Sequence, residues 1–214
     1  MNTIRLAQLA FGLRHGVLGA SDHRMGVWTQ GCSLPKCRGC TSTHTWSPVS
    51  KYVFAVDTLL RFARAQAAAP EGLTLSGGEP TDQASAVADL IRGFREAFPG
   101  AEVVMYSGLR WPVLAKRHPQ LLPLLDVAVT GPYVRTLEAT ALTGSSNQEV
   151  KLLTPLAERL YAQWQTWPPH VLQVDQAPGN RIVMVGIPDT ERLATATTQA
   201  HMVDGTWDQG GNKS

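Results

Sequence analysis

The pattern of apolar and polar positions alternates along the chain between short apolar runs and longer stripes with helical spacing. Two stripes, over 57–67 and 82–98, predict amphipathic helices, and Pro in the first turn favours further helices at 111–117 and 155–164. Short apolar runs predict strands at 25–30, 73–75, 102–106, 126–130, 150–153, 171–174 and 182–185. Residues 1–24 show no clear period. The repeated strand–turn–helix units predict an α/β fold with a mainly parallel sheet.

Composition adds limits to this picture. We expect one domain over 1–188, followed by a polar C-terminal tail over 189–214. Hydrophobic residues form 43% of the chain and charged residues 17%, which argues against a disordered chain. The net charge of +2 is too small to indicate a nucleic-acid partner, and no apolar window is long enough to span a membrane. Neither kind of partner is expected.

All three cysteines of the chain lie within nine positions, at Cys32, Cys37 and Cys40. An odd number of cysteines so close together cannot form a disulfide framework, so we expect unpaired thiols in a reducing cytoplasm. The loop follows a predicted strand, and parallel α/β sheets bind ligands beyond the carboxyl ends of their strands. The turns at Gly77-Gly78 and Ser107-Gly108 follow other strands. All three segments are therefore predicted to lie at one end of the sheet.

Three metal centres are compatible with the cysteine loop in different degrees. His44 could add a fourth ligand and complete a structural zinc site. The Cys-x4-Cys-x2-Cys spacing matches the start of a plant-type 2Fe-2S site, but that site needs a fourth cysteine, which this chain lacks. A 4Fe-4S cluster held by three thiolates would keep one iron free of protein ligands. That iron could bind a substrate or a cofactor.

Further motifs follow the cysteine loop in order. They are Val27 to Cys32, Arg38-Gly39-Cys40 with Trp46, Ser76-Gly77-Gly78-Glu79-Pro80, Tyr106-Ser107-Gly108, Asp126 to Pro132, Gly144 to Gln148, and Gly186-Ile187-Pro188. With this combination, which covers roughly residues 16–188, the chain resembles the radical S-adenosylmethionine (radical SAM) superfamily. Within the superfamily it is most similar to the small activating proteins of anaerobic ribonucleotide reductase.

The resemblance implies an incomplete (β/α)6-type radical SAM barrel. It also implies that Cys32, Cys37 and Cys40 bind a 4Fe-4S cluster, whose open iron chelates the methionine part of S-adenosylmethionine. Glycines beside the methionine amino group would permit close backbone approach, and Glu79 would offset the ammonium charge. The cofactor-binding residues that the resemblance predicts are Gly77, Gly78, Glu79, Pro80, Tyr106, Ser107, Gly108, Ser145 and Asn147.

The activity implied by the resemblance is reductive cleavage of S-adenosylmethionine to methionine and a 5′-deoxyadenosyl radical. In the activating proteins this radical abstracts hydrogen from a backbone glycine of a glycyl-radical enzyme such as anaerobic ribonucleotide reductase. An electron donor such as flavodoxin or ferredoxin is then expected. Two alternatives remain: a radical SAM enzyme that modifies another protein, a peptide or a small molecule, and a non-catalytic zinc-binding interaction module.

Three positions depart from the pattern of the relatives. The superfamily's usual loop has three residues between the first two cysteines, whereas four lie between Cys32 and Cys37. Ala20-Ser21 stands where a Pro-Gly turn is common, and Thr130 stands where Asp is frequent. Loop closure depends weakly on length, so the extra loop residue is compatible with the cluster but predicts a different loop path.

Overall fold

The computed structural model describes residues 2–177 and 181–188 of the chain. The strands are β1 (Thr3–Leu13), β2 (Arg24–Thr29), β3 (Tyr52–Ala55), β4 (Gly72–Gly77), β5 (Glu102–Ser107), β6 (Val127–Thr130), β7 (Glu149–Leu152), β8 (Leu172–Ala177) and β9 (Arg181–Gly186). The helices are α1 (Val56–Arg64), α2 (Ala84–Ala97), α3 (Trp111–Arg117) and α4 (Pro155–Leu160). Short 3-10 turns include Pro80–Gln83 and Trp164–Thr166.

Seven strands form one sheet in the order β3-β1-β2-β4-β5-β6-β7. Its four central strands, β2, β4, β5 and β6, are parallel, while β3, β1 and β7 pair antiparallel at the two sides. Strands β8 and β9 form a separate antiparallel pair. The predicted α/β fold with a parallel centre is confirmed. The sheet as described has β3 and β7 as its edges. The finer prediction of a partial barrel is not confirmed.

The core lies on both faces of the central sheet because successive strand residues point to opposite sides. In β5, Val103 and Met105 pack with α1 and α2, whereas Val104 packs on the other face with Tyr161 at the end of α4. The stripe of α2 that faces the sheet includes Leu90 and Phe94, both fully buried. Helices therefore cover the parallel strands on two sides, as buried parallel sheets require.

Most predicted elements are confirmed, with boundaries moved by a few residues. The helix predicted over 155–164 ends early, at Leu160, and a 3-10 turn follows. The late strands pair as β8 and β9, and the predicted turn at Pro178-Gly179-Asn180 lies outside the described residues, as does the predicted tail. No helix in the described ranges is long and apolar enough to cross a membrane.

The apolar pattern predicted neither β1 nor the short strand β3, and of the two β1 is the longer, with 11 residues. Ile4 and Leu6 alternate with exposed or half-exposed residues, as in an ordinary strand. The register with β2 then shifts between Leu6 and Gln8, and again between Ala10 and Leu13. Each such irregularity reverses the face on which later side chains lie, so the alternation cannot be read across it.

A buried ion pair joins the amino ends of the parallel strands. Arg24 at the start of β2 pairs with Glu102 at the start of β5, and neither side chain is exposed to solvent. Arg24 also donates to Thr74 of β4 at 3.2 Å, and the Tyr161 hydroxyl donates to Glu102 at 2.5 Å. Strand β4 lies between β2 and β5, so this network spans three adjacent strands.

The segment before β2 is held by the same carboxylate. The backbone N–H groups of Ala20 and Ser21 donate to Glu102 at 3.0 and 2.6 Å. A Cβ at Gly19 would lie 2.2 Å from the Arg24 guanidinium carbon, so this segment packs directly on the arginine. Ala20-Ser21, which departs from the usual Pro-Gly turn, thus donates two backbone hydrogen bonds to a buried carboxylate.

We predict that Arg24→Leu destabilises the apoprotein by about 3 kcal/mol, because it leaves the buried Glu102 carboxylate without its positively charged partner. Arg92→Leu is the matched control, since the Arg92–Asp89 pair is exposed and should change the free energy of unfolding by less than about 0.5 kcal/mol. Urea denaturation of both variants measures the difference. Equal effects of the two substitutions would contradict a structural role for the buried pair.

Candidate metal and cofactor site

A cavity of about 750 Å³ lies where the parallel strands end. Residues that line it come from the cysteine loop, from the turns after β4 and β5, from the 131–148 connection, and from the residues flanking the β8–β9 pair. The predicted site residues among them are Cys32, Cys37, Cys40, Gly77, Gly78, Glu79, Tyr106, Ser107 and Gly108. The expectation that three strand ends meet at one site therefore agrees with the structure.

The cysteine loop begins where β2 ends and closes on itself at its base. Gly31 donates its N–H to Thr45 O at 2.7 Å, and Cys32 donates to Trp46 O at 3.2 Å. The three cysteines between these points are free and half-buried. Burial also raises the pKa of the Cys32 thiol above its usual value. Two backbone bonds thus hold the ends of a loop that carries all three thiols.

The glycines after β4 permit close contact between two stretches of backbone. A Cβ at Gly78 would lie 1.9 Å from Gly31 O, and one at Gly77 would lie 2.5 Å from Thr29 N. Gly77 also has φ of +105°, which side chains disfavour. Gly78 donates to Thr29 O at 2.9 Å and Glu79 donates to Gly31 O at 2.8 Å. The close approach that these glycines permit in the structure is to the root of the cysteine loop.

The Glu79 side chain joins the turn after β4 to the turn after β5. One carboxylate oxygen accepts bonds from Thr81 N at 3.1 Å, Thr81 Oγ1 at 2.7 Å and Ser107 Oγ at 2.9 Å. The other accepts from Gly108 N at 2.9 Å. Glu79 is only 1% exposed, and burial raises its pKa while these donors partly offset the rise. Its carboxylate therefore has a structural role in addition to any role toward a cofactor.

Two polar atoms at the cavity lack partners among the described residues. They are the hydroxyl of Tyr106 and Nδ1 of His170, both buried. Burial raises the pKa of Tyr106 above the usual tyrosine value, so this group stays a neutral phenol. Buried polar atoms without partners are rare in folded proteins, and at a cavity they are available to a bound molecule. His170 had no role assigned from the sequence.

Three predicted cofactor residues do not line the cavity. Pro80 is buried in the 3-10 turn, and Ser145 is fully buried and accepts a bond from Val134 N at 3.1 Å. Asn147 donates to Pro132 O at 2.8 Å. Their neighbour Gln148 does line the cavity. Its amide nitrogen donates to Gly131 O at 2.9 Å, and its amide oxygen accepts a bond from Gly144 N at 2.9 Å. In the structure, the side chains of the polar segment 144–148 form hydrogen bonds within the 131–148 connection itself.

The 131–148 connection also reaches the cysteine loop, which the sequence did not indicate. A Cβ at Gly39 would lie 2.5 Å from Arg135 Cδ, so the arginine stem packs on the backbone between Cys37 and Cys40. Arg135 is exposed and lines the cavity. The sequence marked this connection through the Gly144 to Gln148 motif but gave no role to Arg135.

Residues 18–151 match the family of the 4Fe-4S single cluster domain, a range that contains all three cysteines and strands β2 to β6. The chain belongs to this family. The matched range therefore includes most of the sheet as well as the cysteine loop.

The chain is also similar to several anaerobic ribonucleoside-triphosphate reductase-activating proteins. It is 28% identical over 145 residues to that of Vibrio cholerae, which covers 64% of this chain and 93% of the relative. The protein of Escherichia coli K12 is 28% identical over 141 residues, covering 63% and 91%. That of Haemophilus influenzae is 23% identical over 139 residues, covering 62% and 89%. The resemblance inferred from the motifs is confirmed.

The three cysteine thiols are suitable ligands for the 4Fe-4S cluster after which the family is named. Three unpaired cysteines line one cavity, as a three-cysteine 4Fe-4S cluster requires. Within 2–177 and 181–188, no three His, Cys, Asp or Glu side chains are placed to hold a single metal ion. A four-iron cluster held by three cysteines takes each thiolate on a separate iron. His44 is exposed and does not line the cavity.

The raised pKa of Glu79 predicts a pH dependence of stability. The folded chain binds more protons than the unfolded chain between the usual value of 4.5 and the raised pKa. The free energy of unfolding should therefore fall as the pH rises through this window, and Glu79→Gln should remove that slope. Urea denaturation between about pH 4 and about pH 7 measures it, with exposed Glu158→Gln as control. An unchanged slope in Glu79→Gln would contradict the assignment.

Proposed function

We propose that this protein is a radical SAM enzyme that cleaves S-adenosylmethionine reductively and activates a glycyl-radical enzyme. The observation that supports it most is the shared cavity: three free thiols lie there with the Gly77–Glu79 and Tyr106–Gly108 turns. Membership of the 4Fe-4S single cluster family supports the same reading.

Cys32, Cys37 and Cys40 are the proposed cluster ligands. The 4Fe-4S cluster, when bound, supplies the electron that cleaves S-adenosylmethionine to methionine and a 5′-deoxyadenosyl radical. The proposed cofactor residues at the cavity are Gly77, Gly78, Glu79, Tyr106, Ser107 and Gly108. Among them, the unpartnered Tyr106 hydroxyl can hydrogen-bond a polar group of the cofactor. Trp28 and Trp46 line the same cavity and would limit access of water to the cluster.

The parallel strands β2, β4, β5 and β6 would form the core of an incomplete (β/α) barrel in one domain over 1–188. Their order in the sheet and the cavity at their carboxyl ends support this architecture. Unpaired thiols support a reducing compartment, the cytoplasm.

The proposed partner is a glycyl-radical enzyme of the anaerobic ribonucleotide reductase class. The support is the similarity to the anaerobic ribonucleoside-triphosphate reductase-activating proteins of Vibrio cholerae and Escherichia coli, which this chain matches over about nine tenths of their length. A small electron carrier such as flavodoxin or ferredoxin would supply the electron. Transfer of one hydrogen atom from the partner's glycine to the 5′-deoxyadenosyl radical would give 5′-deoxyadenosine and a glycyl radical.

Cofactor cleavage is the first test. After anaerobic reconstitution with iron and sulfide, the wild-type chain should release 5′-deoxyadenosine under reducing conditions. Cys37→Ala should reduce the release to background while keeping the thermal midpoint of the apoprotein, because the residue lies on a loop outside the core.

His44→Ala is the matched control for that test. A cluster held by three cysteines predicts wild-type turnover for this variant, whereas a zinc site completed by His44 predicts loss of the metal. A colourless, zinc-replete wild-type chain would contradict the enzyme and support the interaction module.

Activation of a partner is the second test. Incubation of the reconstituted protein with a reductant, S-adenosylmethionine and an anaerobic ribonucleotide reductase should produce a glycyl radical, measured by electron paramagnetic resonance. Cys37→Ala should produce none. Cofactor cleavage without a radical on the partner would contradict the activating function and favour a peptide or small-molecule substrate.

A further inference from the structure

The cysteine loop with its extra residue is tied to the turn after β4 by one carboxylate. Ser33 follows Cys32 directly, and its backbone N–H donates to Asp82 Oδ2 at 2.7 Å. Its hydroxyl donates to Asp82 Oδ1 at 2.6 Å. Both oxygens of Asp82 therefore accept bonds from the same residue. Bonds to an ionised acceptor are stronger than neutral ones, and two of them fix orientation as well as distance.

Asp82 is itself held in place by the turn that carries it. Its N–H donates to Glu79 O at 3.0 Å, so it follows the anchored glutamate. The next residue, Gln83, bonds both backbone groups of Arg5 in β1, at 2.8 and 3.0 Å. It also donates to Gln30 O at 3.3 Å, at the root of the cysteine loop. Asp82 thus lies in a turn that is hydrogen-bonded to β1 and to the residue directly after β2.

The other residues between Cys32 and Cys37 are held by separate contacts. A Cβ at Gly108 would lie 2.7 Å from Leu34 Cδ1, so Leu34 packs against the turn after β5. Lys36 donates to Cys32 O at 2.6 Å and lies 5.1 Å from the ring centroid of Trp46. The four residues between Cys32 and Cys37 are consequently folded back on the cavity. Among them, Ser33 forms the hydrogen bonds to the turn after β4.

We propose that Asp82 is a positioning residue for the cluster: by holding Ser33 it fixes Cys32 beside the Gly77–Glu79 turn, so that a loop with four residues between its first cysteines still presents three thiols to one cavity. This inference rests on the proposed function. Asp82 and Ser33 are both exposed, so their bonds contribute little to the stability of the whole domain. Loss of these bonds should therefore change the position of the cysteine loop without lowering the stability of the domain.

Iron retention tests this assignment without using turnover. The full chain and its variants are reconstituted anaerobically with iron and sulfide, and the rate of iron loss to a chelator is measured. Asp82→Ala should lose iron faster than wild type by about fivefold or more, because both charge-assisted bonds are gone. Ser33→Ala should be intermediate because it keeps the backbone bond, and Ser33→Thr, which keeps both donors, should retain the wild-type rate.

Two controls separate positioning from folding. Asp57→Ala removes another exposed carboxylate from a first helical turn, that of α1, and should not change iron loss. The thermal midpoints of all apoproteins should agree within about 2 °C, since the pair is exposed. The Ser33→Ala/Asp82→Ala double variant should lose iron at the rate of Asp82→Ala, because one interaction cannot be lost twice.

The outcomes distinguish this inference from the proposed function. A wild-type chain with a cluster and an Asp82→Ala variant with the same iron loss would overturn the positioning role alone. A lowered thermal midpoint of Asp82→Ala apoprotein that accounts for the iron loss would also overturn it. A wild-type chain that takes up no cluster would overturn the proposed function and this inference with it.

Discussion

The site depends on one close contact between two stretches of backbone, Gly78 against Gly31. No side chain fits between them, since a Cβ on Gly78 would overlap the Gly31 carbonyl oxygen. The contact places the turn after β4 directly on the root of the cysteine loop. Because Glu79 follows at once and binds the turn after β5, three strand ends are fixed relative to one another. The Gly31–Gly78 backbone contact and the Glu79 side chain therefore fix these walls of the cavity together.

Two buried glutamates tie the parallel strands together at opposite ends. Glu102 accepts bonds at the amino ends, where Arg24 compensates its charge. Glu79 has only neutral donors at the carboxyl ends, and burial accordingly raises its pKa. The first arrangement suits a structural anchor, because each buried charge has an opposite charge beside it. The second places a buried carboxyl group at the cavity without a protein cation among its hydrogen-bond donors.

The cysteine loop shows how an altered spacing can be accommodated. Ser33, Leu34 and Lys36 each contact a different neighbour, namely Asp82, Gly108 and the loop's own carbonyl at Cys32. The extra residue is thus absorbed by side-chain contacts and not by a loose loop. Arg135 adds a contact from the other side, on Gly39. The loop is consequently supported from both strand-end turns and from the 131–148 connection.

Local patterns in the sequence determined the strand–turn–helix order, the parallel centre of the sheet and the three thiols, because periodicity and residue chemistry act over a few neighbouring positions. The sequence did not reveal the short strand β3, nor β1, whose alternation is broken by two register shifts. Nor did it reveal that Ser145 and Asn147 lie away from the cavity while Gln148 and His170 line it. Tertiary structure decided these points, as it did the Ser33–Asp82 and Arg24–Glu102 pairs, 49 and 78 residues apart. Contacts at such separations depend on how strands are ordered in the sheet, and no local pattern encodes that order.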